Sequence, residues 1–160
     1  MNITKSEVLK LSEIFDYFKR EKVGTKFSYF LTKNNMALKS EVEALKAAMT
    51  PSEQYQRFDR ERAEMAKSMS DKDNAGNPII INDSYQIIEN LSRFDEAISG
   101  IKEKYSEDIK IFEKQVADYK DILKETISFE PYMIALDNMP DAITPEIMEI
   151  LVSNNLINEK

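Results

Sequence analysis

Residues 92–125 read SRFDEAISGIKEKYSEDIKIFEKQVADYKDILKE. The run holds no proline, and its apolar residues recur at steps of three and four: Phe94, Ile98, Ile101, Tyr105, Ile109, Phe112, Val116, Tyr119 and Leu123. That spacing marks one apolar stripe on one helix. The prediction is a long helix over 91–127, capped at Asn90 or Ser92 and closed before Pro131. A helix of that length outruns one compact core. Its stripe must pack lengthwise against a second helix, in this chain or in another copy.

Working outward, Thr4 or Ser6 can cap a first helix with Val8, Leu11, Phe15 and Phe18 on one face, ended by Gly24. Phe27, Phe30, Leu31, Leu38, Val42 and Leu45 mark a second helix. Thr50-Pro51-Ser52-Glu53 is a start signal, with Thr50 as cap, Pro51 in the first turn and Glu53 closing a capping box. A helix kinked at Pro51 is the alternative. Tyr55, Phe58, Met65 and Met69 carry the stripe onward. Asp71 to Pro78 is turn-rich, and Ile79-Ile80-Ile81, Asn82-Asp83 and Tyr85-Gln86-Ile87 predict a β-hairpin. Phe129 to Pro140 reads as irregular or partly extended, and Thr144-Pro145-Glu146 opens a final short helix with Ile147, Ile150 and Leu151 inward.

The fold class expected is mainly α: a long helical hairpin or small bundle with a short β-hairpin at one end and a short C-terminal helix. Residues 1–160 read as a single helical domain. It comprises N-terminal helices in 1–70, loop and hairpin in 71–90, the long helix in 91–127, and the tail in 128–160.

Composition limits the chemistry. The 160 residues are 42% hydrophobic and 32% charged, with only 3 Gly and 5 Pro, a balance that fits a folded helical protein. Cys and His are both absent. That excludes disulfides, thiolate or imidazole metal sites, and Ser-His or Cys-His nucleophilic machinery. No cofactor is indicated. No apolar run is long enough to span a bilayer, and Met1–Lys10 lacks an apolar signal core, so neither a membrane nor secretion is expected. The net charge of −7 argues against nucleic acid as a partner. The charge is uneven: residues 1–49 carry 9 Lys+Arg against 6 Asp+Glu, and residues 50–160 carry 13 against 23. Attraction within the fold or between subunits accounts for this, as would an anion-binding face.

Candidate sites follow from spacing. Lys26, Tyr29 and Lys33 share a helical face, with Asn34 beside Lys33. Two ammonium groups flanking a phenol can hold a phosphate or nucleotide whose base stacks on the ring. A solvated face or a subunit interface explains the same pattern. Arg57 and Arg62, with Arg60 between them, form a second cluster. It alternates with Asp59, Glu61 and Glu64, which reads first as ion pairing along a helix. Asp71-x-Asp73-x-x-Gly76 matches the opening of a calcium-binding EF-hand loop. Ala75 and Asn82 then stand where oxygen ligands are needed, so turn chemistry explains it better. Glu103, Glu107, Asp108, Asp118 and Asp121 read as solubilising charge on the long helix.

Several ordered stretches carry a resemblance. They are Leu9 to Phe18, then Lys26-Phe27-Ser28-Tyr29-Phe30-Leu31-Thr32-Lys33-Asn34, Arg62, and Lys72-Asp73-Asn74-Ala75-Gly76-Asn77-Pro78 leading into Ile79-Ile80-Ile81. Near the end come Glu125-Thr126-Ile127-Ser128-Phe129 and Met139-Pro140-Asp141-Ala142-Ile143-Thr144-Pro145-Glu146. Together they resemble a family of short, uncharacterised tailed-bacteriophage proteins of unknown function. The resemblance implies a phage product acting in the cytoplasm of an infected bacterium or packaged in a virion.

The functional expectation is a non-enzymatic phage accessory protein that binds and blocks or sequesters a host factor in counter-defence. It would act as a protein inhibitor or as a sponge for a nucleotide signal. The alternative is a virion or assembly component such as a scaffold, adaptor or tail chaperone. The expected partners are copies of itself as a homo-oligomer, and a host protein or small nucleotide ligand.

Overall fold

The computed structural model describes residues 1–141 and 143–158. Ala142, inside the Met139–Glu146 stretch of the resemblance, and residues 159–160 lie outside the described residues. The order is β1 (Asn2–Thr4), α1 (Lys5–Phe18), α2 (Thr25–Ala48), α3 (Glu53–Met69), β2 (Ile80–Ile81), β3 (Ser84–Tyr85), α4 (Leu91–Lys104), α5 (Ser106–Ile122), β4 (Thr126–Ser128), β5 (Ile134–Ala135), α6 (Pro145–Ser153) and β6 (Ile157–Asn158). The chain is mainly α with small β pairs. The chain sorts into two compact units: Met1–Met49 with Asp118–Lys160, and Thr50–Ala117.

The first unit is built on α1 and α2. Thr4 caps α1 through a capping box: its hydroxyl accepts from the Glu7 N–H at 3.2 Å, and the Glu7 carboxylate accepts from the Thr4 N–H at 2.6 Å. The predicted stripes of both helices, Val8 to Phe18 and Phe27 to Leu45, are buried. Their rings meet edge to face, Phe15 on Phe30 at 6.3 Å and Phe18 on Phe27 at 5.2 Å between centroids, the favoured aromatic geometry. Two short strand pairs close the unit. β1 runs antiparallel to β4, with Ile3 opposite Ile127, and β5 runs parallel to β6, with Ile134 opposite Ile157. Lys5 bridges Glu125 at 2.9 Å and Glu41 at 3.3 Å; its hydrogen bonds to them raise the ammonium pKa. Thr144 caps α6 with Pro145 in its first turn, as the sequence predicts.

Two boundaries differ from expectation. α1 stops at Phe18, not Gly24, because Arg20 and Glu21 donate back only three residues, to Tyr17 and Phe18. Gly24 instead opens α2 with φ −62°, an ordinary extended residue whose carbonyl accepts from Ser28 at 2.9 Å. Pro51 breaks the chain of helices and does not kink it. α2 ends at Ala48, and Ser52, not Thr50, caps α3 by accepting from the Tyr55 N–H at 3.1 Å.

In the second unit α3 packs on α4. Tyr55 stacks on Phe112 at 3.9 Å between centroids, and Phe58 lies 5.9 Å from Tyr105. The hairpin forms where predicted. Ile80 pairs with Tyr85 and Ile81 with Ser84 around Asn82 (φ 49°) and Asp83 (φ 60°). Two central residues at positive φ define a type I′ turn, whose twist suits a two-residue hairpin. Asn and Asp tolerate that region better than most residues.

The long helix is corrected. It is interrupted at Tyr105 (φ −110°, ψ 20°), and α5 ends at Ile122, short of residue 127. Tyr105 is buried, and its hydroxyl donates to Glu61 at 2.7 Å. That bond and the Phe58 contact hold the side chain while the backbone departs from helical angles. The ladder still bridges the break, Tyr105 donating to Ile101 at 3.2 Å and Ile109 to Tyr105 at 3.0 Å. Downstream, Thr126–Ser128 is strand β4 rather than a last helical turn, because it pairs with β1.

Candidate functional site

The residues singled out on α2 meet different fates. Asn34 is fully buried. Its amide donates to the carbonyls of Phe30 at 3.0 Å and Tyr132 at 2.8 Å, and its oxygen accepts from the Tyr132 N–H at 2.9 Å. That pattern ties the 129–133 segment to α2 and uses the polar atoms a ligand would need. The Tyr29 ring sits edge-on to Tyr132 at 5.3 Å. Lys26 lines a cavity of about 340 Å³ together with Asp137. Lys33 is exposed and lines none of the described cavities. None of the described cavities is lined by Lys26, Tyr29 and Lys33 together.

The arginines belong to the second unit. Arg57 pairs with Glu53 at 2.6 Å and Arg62 with Asp59 at 2.7 Å, both along α3 and both exposed. Such pairs contribute little to stability. Arg62 has a further role, since it lines a cleft of about 440 Å³ within this unit.

Three elements build that cleft. α3 contributes Arg62, Ala63 and Ala66, whose short side chains leave room beside the helix. The hairpin contributes Asp83, Ser84 and Tyr85, with Ile87 just beyond. α4 contributes Phe94, Ile98 and Lys102, spaced four apart on one face. The walls are aromatic and aliphatic, with two cations and one carboxylate. The Arg62 fork keeps donors free beyond its bond to Asp59, and Lys102 makes no ion pair among the described residues. Spacing in the sequence identified Arg62 but missed the rest. Phe94 and Ile98 read as helix stripe, and Lys102 stands in none of the clusters that spacing marks.

The surroundings are fixed by polar ties. Glu61 accepts from Lys104 at 2.8 Å and from Tyr105, and these hydrogen bonds lower the Glu61 pKa, the Lys104 contribution being the larger. The Lys104 pKa is raised in turn, first by Glu61. Buried Asp71 accepts from the N–H groups of Ile88 at 2.9 Å and Glu89 at 3.2 Å, fixing the chain that follows the hairpin. Asp73 accepts from Asn77 at 2.8 Å and Ala75 at 2.9 Å, and the Asn77 N–H is the main cause of its lowered pKa. Asp71 and Asp73 thus serve their own loop. Among the described residues no group of three or more carboxylates is placed to hold a metal ion, and no helix is long and apolar enough to cross a membrane.

Comparison with protein families, curated proteins and solved structures finds no match to this chain.

Proposed function

We propose that this chain is a non-enzymatic phage accessory protein that binds and blocks or sequesters a host factor in the infected bacterial cytoplasm, in counter-defence. The observation that carries the reading is the hairpin end of the second unit. Ile80, Ile81, Ile88 and Leu91 are 60%, 54%, 66% and 51% exposed. Large apolar side chains left in water within residues 80–91 add little to the unit's own packing, and apolar exposure concentrated in one short segment favours contact with another molecule. The phage setting draws its support from the resemblance of the ordered stretches given above.

The test is recovery from infected cells of the tagged chain and of its Ile80→Glu/Ile81→Glu variant. One host component recovered in stoichiometric amount with the parent and lost with the variant is the expected result. Equal recovery by both, or none by either, contradicts the reading.

A second reading, a self-associating virion or assembly component, is favoured by α5, where Ile111 is 62% exposed beside half-buried Phe112. It requires a dimer or larger species by light scattering and the chain in purified particles. A monomer absent from particles removes it.

A further inference from the structure

We infer that the cleft between α3, the hairpin and α4 binds a small aromatic phosphate of the nucleoside monophosphate class. The ring lies against Tyr85 and Phe94, and the phosphate on Arg62 and Lys102. This rests on the binding reading above and names the class of ligand.

Size comes first. A cleft of about 440 Å³ falls in the range of roughly 300–1,000 Å³ in which proteins hold small ligands, and its apolar walls with few polar groups are the usual lining. Chemistry narrows the choice. A hydrocarbon would leave Lys102 without an ion-pair partner among the described residues and the Arg62 donors beyond its bond to Asp59 unused. Inorganic phosphate would leave the Tyr85, Ile87, Phe94 and Ile98 surfaces wet. A ligand with a flat ring and one compact anion satisfies both. The guanidinium fork matches phosphate geometry, and the Lys102 ammonium supplies a second charge-assisted donor. Base-on-ring stacking is sequence-tolerant, because every base has a π-face.

The hairpin turn sets a further limit. Asp83 stands at the cleft on a left-handed backbone (φ 60°) next to Ser84. Its carboxylate can accept from ribose hydroxyls, and it repels additional phosphate charge. The site therefore prefers a monophosphate to a triphosphate. None of the four exposed apolar residues at the hairpin end lines the cleft. Changing Ile80 and Ile81 leaves the cleft lining as it is.

The experiment is calorimetric titration of the full chain with AMP, GMP, CMP and UMP, and with inorganic phosphate, ribose 5-phosphate, adenosine and ATP. Saturable binding of at least one monophosphate is expected, with phosphate, ribose 5-phosphate and adenosine each about tenfold weaker or more. ATP is also expected to be weaker, and Asp83→Asn narrows that gap. Arg62→Ala and Lys102→Ala are exposed-residue changes that leave folding intact, and each weakens the monophosphate about tenfold. Ala66→Leu fills the cleft and abolishes binding.

No saturable heat with any monophosphate at millimolar concentration overturns the inference. So does unchanged affinity in both cation variants, or ribose 5-phosphate binding as tightly as the nucleotides. If the host component is lost on changing Ile80 and Ile81 while no monophosphate binds, the binding reading stands and this ligand class falls.

Discussion

The two units solve the problem of staying folded in different ways. The unit of Met1–Met49 and Asp118–Lys160 buries branched and aromatic side chains from α1, α2, the strand pairs and α6 in one continuous core. In Thr50–Ala117 the large apolar side chains buried among the described residues are Phe58 and Tyr105. Polar ties make up part of the difference: Glu61 to Tyr105, Asp71 to the Ile88 and Glu89 amides, Asp73 to its own turn. Buried apolar mass is thus concentrated in the first unit, while large exposed apolar side chains occur in both, Tyr17 and Met36 in the first and Ile80 and Ile88 in the second. The cleft lined by Arg62 and Lys102 and the exposed isoleucines of residues 80–88 lie in the unit with the thinner core.

The widest gap is expected from ring truncation. Phe30→Ala should lose about 3–5 kcal/mol in urea denaturation, as a fully buried ring does. Phe58→Ala should fall at the low end of that range, about 3 kcal/mol, because its neighbour Tyr55 is only half-buried. Equal losses would erase the contrast.

Next come the buried polar pins, one in each unit. Asn34→Ala removes three hydrogen bonds to Phe30 and Tyr132 and should lose about 2–3 kcal/mol of global stability. Asp71→Ala should lose about 1–3 kcal/mol and show as faster proteolysis in residues 80–91 with the first unit intact. A purely global effect would blur the division.

Gly76 sits at φ +84° in the turn after Asp73. Gly76→Ala should lower stability by about 1 kcal/mol, read as a fall in Tm, because the added Cβ disfavours that region. No change would mean the turn can relax.

The finest distinction is in pH. Folding lowers the Glu7 pKa, through the Thr4 N–H first and the Thr4 hydroxyl second. A carboxylate lowered on folding adds stability above its unfolded value of about 4.3 and loses it as pH falls through the folded value. The advantage of the parent over Glu7→Gln should therefore shrink as pH drops from about 6 to about 3. A pH-independent gap would remove Glu7 from the account.

Much of the fold is written in local signals. Thr4 with Glu7, and Thr144 with Pro145, announce helix starts because the capping partners lie within one turn. Asn82-Asp83 announces the hairpin because both residues tolerate positive φ. The interruption at Tyr105 is silent, since Ile101, Tyr105 and Ile109 keep helical spacing through it and the hydroxyl's partner, Glu61, lies on another helix. The strand pairs are equally silent. Asn2 meets Ser128 and Ile134 meets Ile157, and strands of two or three residues carry no period.

The site divides along the same line. Asn34 reads as surface beside Lys33 because its partner, Tyr132, lies 98 residues on. The cleft joins residues from Arg62 to Lys102 through three elements, so only Arg62, inside a visible charge cluster, could be picked out.

Native-state hydrogen exchange of the full chain tests the division of labour most directly. Amides in α1 and α2 should exchange only through global unfolding, while those of β2, β3 and α4 open at lower free energy and protect further when a ligand occupies the cleft. Equal protection of α4 and α2 in the free protein would contradict it.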